Sequence, residues 1–507
     1  MAGTFGPMTS RQWSVRHADG GVGTEGFARE SAFWDEEAAA AAERVEAELD
    51  QVDLVRVVFC DPHGLARSKT VPAAVFRTVL RNGMDFSPGP FVFDTGHAVA
   101  VDFLGDGSDV RVPEISGAGD FVVVPDPRTF QTLPGSSPRT AWVVGDEHLR
   151  SGEPHPLSAR GVLRRLVRRY RENNLVPVVG LEVEWYLTRR LDEEPGNAGN
   201  GFGTQGPAPA VAAVNAGYQF NLDAYYDTVA PVTDPLAAAL AQLGLPLRTM
   251  EHESGPGQVE TTFSPLEALD AADAMLLFRT FTKRFCALRG HHASFMTLPG
   301  LPSFDASGWH LHQSVSDLAT GANLFGAADG AGLSGEGKAY LDGLLARARE
   351  LCLLSVPTVN GYRRLAPEFT LSPTLVDWNV ESRTVMARVL GSGSATHIEN
   401  RVGEPCANPY LLMAAQLSAG LDGMLGAGDP EAGAAAGARR LPASLREALD
   451  AFRASEPAER LLGDRLVACL SRLKESEAAR FEAWCAQNQT VGNAVTEWER
   501  REYFRCY

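Results

Sequence analysis

The run VPVVGLEVEWYL (176–187) constrains this chain more than any other segment. It is apolar enough to be a buried strand, yet it carries Glu182 and Glu184. In a strand, residues i and i+2 share a face and lie roughly 6.6 Å apart, so the two carboxylates project together. An unpaired buried carboxylate is costly, and two on one face repel. Either this face is solvated or salt-bridged, or a hard divalent cation with oxygen ligands resolves the conflict.

Three other segments bear on that choice. EHESGPGQVE (251–260) places Glu253 and Glu260 on either side of a Gly-Pro-Gly turn able to fold both carboxylates toward one point, although a surface loop with two glutamates is the simpler reading of that segment alone. WHLHQS (309–314) gives His310 and His312 the same i, i+2 relation in an apolar strand. A lone histidine there is usually a satisfied core residue, but beside a carboxylate-rich strand a metal ligand explains it better. RTVMARVLGSGSATHIENR (383–401) supplies Arg383, Arg388, His397, Glu399 and Arg401. A solvated strand face accounts for some of these, whereas guanidiniums near many carboxylates suit phosphate or carboxylate clamping. Taken together, the set fits two metal ions holding a polyphosphate, which is phosphoryl-transfer chemistry.

A chain of 507 residues exceeds one compact core, so two domains are expected. The net charge of −17 argues against nucleic acid or an anionic membrane as the main partner. Seven cysteines without a CxxC pair read as reduced thiols. The N-terminal residues show no apolar h-region, and no stretch approaches the length of a membrane span, which points to the cytoplasm.

Along the chain, residues 1–30 are Gly-rich and polar and are expected to be poorly ordered, and 31–50 read as a helix. Strand-like runs follow at LVRVVFC, SKTV, AVAVDFLGD, FVVVPDP and TAWVVGD, giving a small, largely β first domain. From 157 helices and strands alternate, giving a larger α+β domain; 419–440 is Gly/Ala-rich and reads as a loop, and the tail is helical. GLSGEGKA (332–339) has P-loop spacing, but Ala339 replaces the Mg²⁺-binding Ser or Thr and no buried strand precedes it, so it is set aside.

In this order, these segments resemble the glutamine synthetase family from about residue 50 onward. The resemblance implies an α+β fold in which residues 1–48 are an extension with one helix, 49–152 a β-grasp domain, and 153–507 a catalytic domain with a curved antiparallel sheet and helices. It implies an ATP-dependent ligase using two or more Mg²⁺ or Mn²⁺ ions, and a ring, usually a dodecamer, with active sites between subunits. LEVEW resembles the E-x-E strand, implying Glu182 at one metal and Glu184 at the other. HESGPGQVE adds Glu253 and Glu260 to the Glu184 site. SGWHLHQS adds His310 to the Glu182 site and puts His312 and Ser314 near ATP. HIENR adds Glu399 to the Glu182 site and gives Arg401 to glutamate. PTVNGYRRL gives Arg364 to the substrate α-carboxylate, with Gly308 beside it. Arg383 and Arg388 match phosphate-contacting arginines, and His397 stands where a nucleotide-side arginine is common. VVFCDPHG makes Asp61 the residue that reaches a neighbour's site to take the amine's proton, and Tyr218 resembles an ammonium-site tyrosine.

The departures from the family pattern cluster at the amine end. APEFTLSPTLVDW has no Glu at the flap position, with Glu368 two residues early; the N-G-S-G flap is Asp305-Ala306-Ser307-Gly308; and M-P-K-P has become MTLP. A site for a larger amine needs room, so the expected reaction joins glutamate to an alkylamine, polyamine, ethanolamine or aromatic amine such as aniline through γ-glutamyl phosphate. Asp61, Tyr218 and Asp305 form the expected amine pocket. Ammonia-using glutamine synthesis, and a non-catalytic structural relative, are the alternatives.

Overall fold

The computed structural model describes residues 26–30, 33–105, 110–191, 200–216, 219–328, 330, 332–366, 371–427, 439–490 and 492–507. The expectation of disorder over 1–30 falls largely outside them; Phe27–Glu30 forms one helical turn, and the helix expected at 31–50 spans Glu36–Glu48.

The first sheet contains β1 (Leu54–Cys60), β2 (Ala66–Pro72), β3 (Met84–Phe86), β4 (Phe121–Pro125), β5 (Gln131–Thr132) and β6 (Thr140–His148). Its order is β2-β1-β6-β4-β3, with β5 on β6. β1 pairs with β2 as a hairpin and runs parallel to β6 at the centre of the sheet. The helix Ala73–Asn82 buries Ala73, Phe76, Val79 and Leu80, one stripe at helical spacing. This is a β-grasp arrangement.

AVAVDFLGD is not a strand: its described part makes a single bridge, Phe93 to Val99. The Asp94 carboxylate accepts from the amides of Gly96 and Ala98 at 3.0 and 2.8 Å, which curls the chain and leaves Val99 exposed.

The second sheet has ten strands: β7 (Leu175–Arg190), β8 (Val211–Ala213), β9 (Leu247–His252), β10 (Gln258–Phe263), β11 (Leu266–Glu267), β12 (His291–Ser294), β13 (Trp309–Asp317), β14 (Trp378–Val380), β15 (Ala387–Leu390) and β16 (His397–Asn400). Its path is β14-β15-β16-β13-β7-β10-β9, and β8, β11 and β12 pair with other stretches of the long β7. Every pairing in it except β14–β15 is antiparallel. The helices Ala268–Ala287 and Pro409–Asp422 form the core beside it, and the second is buried on every side. Trp185, Phe263, Phe278 and Phe295 join sheet and helix through ring contacts of 5.0–6.0 Å.

The loop expected over 419–440 begins as helix: Pro409–Asp422 continues through a wider turn at Gly423–Ala427, and 428–438 lie outside the described residues. The apolar environment sustains a helix that the Gly and Ala content alone did not suggest. GLSGEGKA is a helix start, with Ser334 capping Gly335–Arg347. Among the described residues no helix is long and apolar enough to cross a membrane.

The two sheets are tied together by Arg160. Its buried guanidinium meets Asp126 at 3.0 Å and Asp146 at 2.7 Å from the first sheet, and Asp273 at 2.7 Å from the helix Ala268–Ala287.

Candidate active site

Register places the acidic residues in one row across the second sheet. Glu251 of β9 pairs with Glu260 of β10, and Glu260 with Glu184 of β7. Two residues along β7, Glu182 pairs with His310 of β13; His312 then pairs with Glu399 of β16, and Glu399 with Arg388 of β15. The period of two, repeated in strand after strand, points these side chains to one face.

The donors are close. His310 Nδ1 lies 2.6 Å from Glu182 and 3.5 Å from Glu399, and His312 Nε2 lies 3.1 Å from Glu182. Two sets each bring their ligand atoms within 4.8 Å of one another: Glu182, His310 and Glu399, and Glu184, Glu260 and His310. Glu253 joins from the turn, whose closure is fixed by its amide donating to the Gln258 carbonyl at 2.9 Å.

The protonation pattern follows from burial and crowding. Burial, then the charges of Glu182, Glu184, Glu253 and Glu251, pushes the Glu260 carboxyl far above the usual range. Glu184 is raised by burial and by Glu253, against the pull of Arg364. Glu253 is pushed up to about 7 by burial, then by Glu251 and Glu182. Burial works against ionisation of Glu182 too, yet the bonds from His310 and His312 hold it well below the carboxylate range. Burial and Arg401 bring His310 down to about 4, so its contact with Glu182 is a neutral imidazole bonding to a carboxylate. At neutral pH this face must take up protons or cations, and oxygen-rich donors with one imidazole suit divalent ions.

Arginines surround the row. Arg388 meets Glu399 at 3.3 Å and Glu381 at 3.1 Å, and Arg401 bonds to Glu399. The Nε atoms of Arg388 and Arg401 are buried donors without a partner, as a site for an anionic substrate would leave them. Arg383 is exposed and acts on the Glu253 carboxylate. Buried Arg364 donates to the Arg401 carbonyl at 2.9 Å and lies 3.3 Å from His310 Nε2. Burial lowers it to about 10, still a cation at neutral pH. Gly308 lies against it: a Cβ there would stand 2.7 Å from Arg364 Nη2 and 2.9 Å from His310 Nε2.

Ser314 shares the His310 face of β13, and the His397 ring lies 5.2 Å from His312. Tyr218 and Glu368 lie outside the described residues. Asp61 sits in the turn between β1 and β2. It is fully buried, one oxygen accepts the amides of His63 and Leu65 at 3.0 and 2.9 Å, and the other meets Arg67 at 2.6 Å. Within this chain the carboxylate anchors its own hairpin turn.

Three residues enter that the sequence reading passed over. Glu251 extends the acidic row, and its i, i+2 spacing from Glu253 was the available signal. Gln258 Nε2 donates to Glu184, to the Ala306 carbonyl and to Ser307 at 3.1–3.2 Å, tying turn, metal face and flap together. Tyr186 follows Glu184 on the same face, and its hydroxyl brackets the Asp305 backbone.

A family model described as glutamine synthetase, catalytic domain, matches residues 156–503. The chain belongs to the glutamine synthetase family. A gamma-glutamylanilide synthase from Acinetobacter sp is 38% identical over 94% of this chain and 98% of its own. A glutamine synthetase from Archaeoglobus fulgidus is 29% identical over 91% of this chain and 97% of its own. Among solved structures, one titled "Apo GmaS without ligand" superposes with a TM-score of 0.70 at 27% identity, covering 92% of this chain and 99% of the other. As a glutamine synthetase-family member the chain is an ATP-dependent carbon–nitrogen ligase, and its grasp domain and curved catalytic sheet are those of the family.

Proposed function

We propose that this ligase joins glutamate to an organic amine, with an aromatic amine such as aniline the preferred partner, through γ-glutamyl phosphate. The observation that carries this reading is the contrast between the two ends of β7. The metal face and its arginines match an acyl-phosphate ligase, while the amine end departs from the family pattern. There Phe304 stacks on Tyr186 at 4.3 Å and 17°, a flat aromatic element beside the flap. The 38% identity to a gamma-glutamylanilide synthase supports the same partner.

In this reading Glu182, His310 and Glu399 hold one divalent ion, and Glu184, Glu253 and Glu260 another. Bound there, such ions neutralise phosphate charge and polarise the transferring phosphoryl group. Arg364 and Arg401 orient the acid through its carboxylates, and the bare Cα of Gly308 lets the Arg364 guanidinium sit close to His310. Arg383 and Arg388 stabilise charge on the phosphoryl oxygens. His312, Ser314 and His397 border the nucleotide. Closure around Gln258 and the flap excludes water, which would hydrolyse the acyl phosphate. Ring assembly, with a dodecamer as the expected form, and domains at 49–152 and 153–507 belong to the same reading.

A second reading, glutamine synthesis from ammonia, is favoured by the 29%-identical glutamine synthetase. The two separate on one assay: purified protein with ATP, Mg²⁺ and glutamate, followed by phosphate release and product mass across ammonia, methylamine, isopropylamine, ethanolamine, putrescine, spermidine and aniline. Strong turnover with aniline or another organic amine and little with ammonia supports the proposal. Ammonia as the best substrate sinks it.

A further inference from the structure

We propose that Glu404 is a positioning residue that sets the flap and Arg364 against each other through the hydroxyls of Thr297 and Thr358. The assignment rests on the γ-glutamyl phosphate reading above, in which Arg364 holds the acid, and deepens it by naming what holds Arg364 in place.

Where the family has M-P-K-P this chain has MTLP at 296–299, so Thr297 stands where a proline offers no hydroxyl. Thr297 is fully buried, and its hydroxyl donates to Glu404 Oε2 at 2.6 Å. Its carbonyl accepts the Ser307 amide at 2.7 Å, so the same residue also holds the flap. Gly308 follows, donating its amide to Glu184 at 3.0 Å, and a Cβ on it would stand 2.7 Å from Arg364 Nη2.

The turn that carries Arg364 reaches Glu404 from the other side. Glu404 Oε1 accepts the Thr358 amide and Oε2 the Thr358 hydroxyl, both at 2.8 Å. That hydroxyl accepts the Gly361 amide at 3.0 Å, at the start of the helical turn Gly361–Arg364. Packing is close here, for a Cβ on Gly361 would stand 2.5 Å from Glu404 Oε2. The residues just before Glu404 close the ring, since the Arg364 guanidinium donates to the carbonyls of Arg401 and Val402 at 2.9 and 3.3 Å. Asn360 adds a second tie, accepting the Leu298 amide at 2.7 Å and donating to the Leu298 carbonyl at 3.0 Å. Flap, turn and the 401–404 segment thus meet on one carboxylate.

Burial pushes the Glu404 carboxyl up to about 7, while the bonds from Thr297 and Thr358 pull it down. A buried carboxylate oxygen deprived of a donor is costly, so its surroundings shift to replace the lost partner. Because Gly308 and Arg364 are already packed together, a small movement of the flap displaces the guanidinium. A side chain remote from the chemistry then acts on substrate binding through geometry.

The test is steady-state kinetics on the assembled enzyme, by phosphate release with the best amine at saturation, beside thermal melts. Thr297→Val removes the hydroxyl and keeps the shape and the carbonyl. We expect the KM for glutamate to rise by about tenfold or more, with kcat within a few-fold and the KM for ATP unchanged. Glu404→Gln should shift the KM for glutamate in the same direction, and Thr297→Ser, which keeps the donor, should hold it near the original value. Tyr170→Phe is the control: it removes a buried bond to the Leu417 carbonyl elsewhere in the core, and should lower the melting temperature without moving either KM. An unchanged KM for glutamate in Thr297→Val and Glu404→Gln would overturn the proposal. So would a KM for ATP rising in step, an equal shift in Tyr170→Phe, or a Thr297→Ser enzyme as impaired as Thr297→Val. If the unmodified enzyme releases no phosphate with glutamate and any amine of the panel, the γ-glutamyl phosphate reading itself fails, and the assignment falls with it.

Discussion

Glu182 and His310 face each other in register across β7 and β13, with the carboxylate 2.6 Å from the imidazole Nδ1. Burial keeps His310 neutral, so the pair offers a metal one anionic oxygen and one imidazole from two adjoining strands, with Arg364 3.3 Å from the imidazole Nε2. Because both side chains sit on rigid sheet, removal of either should act on metal affinity before it acts on folding. For Glu182→Gln we expect Mn²⁺ binding, followed by electron paramagnetic resonance, to weaken by at least about 10–100-fold. Unchanged Mn²⁺ affinity would show that Glu182 is not a ligand.

The raised carboxylates set a pH dependence. Glu253, near 7, and Glu184 and Glu260, raised further, all hold protons in the folded protein that they would release when unfolded, where a glutamate titrates near 4.3. Their contribution to metal-free stability is thus complete below about pH 4 and is lost as pH rises through the folded values. We expect the metal-free melting temperature to fall between pH 6 and 8 and the increment given by saturating Mg²⁺ or Mn²⁺ to grow over that interval. Melts at fixed ionic strength check this, and an increment that shrinks toward pH 8 would contradict it.

Gly308 leaves no room for a side chain between Arg364 and His310. Gly308→Ala should displace the Arg364 guanidinium, raising the KM for glutamate by about tenfold or more while costing about 1–3 kcal/mol in stability. The KM for ATP, set at the other end of β7, should change much less. Steady-state kinetics with each substrate varied in turn distinguishes the two.

Arg160 bridges Asp126 and Asp146, at the first sheet, and Asp273 of the helix Ala268–Ala287. Arg160→Met would leave Asp273 without its counter-charge and Asp126 and Asp146 with only Arg128 and Arg164, at a cost of about 3–5 kcal/mol. Urea unfolding should report this loss, while the metal affinity of the distant row stays near its original value.

The legible parts of this molecule were those governed by strand period. Glu182 with Glu184, and His310 with His312, were read as same-face pairs because alternation needs no tertiary knowledge, and pairing the strands brings them into one row. Glu253 and Glu260 followed from a turn whose glycines permit it; Gly257, at φ 74°, has its Cα face closed off by the Leu187 carbonyl. The short motif around Asp61 says nothing of Arg67, six residues on, which the hairpin folds back onto it. AVAVDFLGD has the alternation of a strand, but Asp94 captures the amide of its first residue, Ala98. Tyr186 and Gln258 carried no sequence signal as anchors, since the flap atoms they bond lie more than 45 residues away.

Selectivity between amines tests the account most directly. One mixture of enzyme, ATP, Mg²⁺, glutamate and equal concentrations of aniline and ammonium at fixed pH gives the ratio of specificity constants from the initial ratio of γ-glutamylanilide to glutamine. The altered amine end predicts that the anilide dominates by tenfold or more. Glutamine in excess would contradict the account and return the chain to ammonia chemistry.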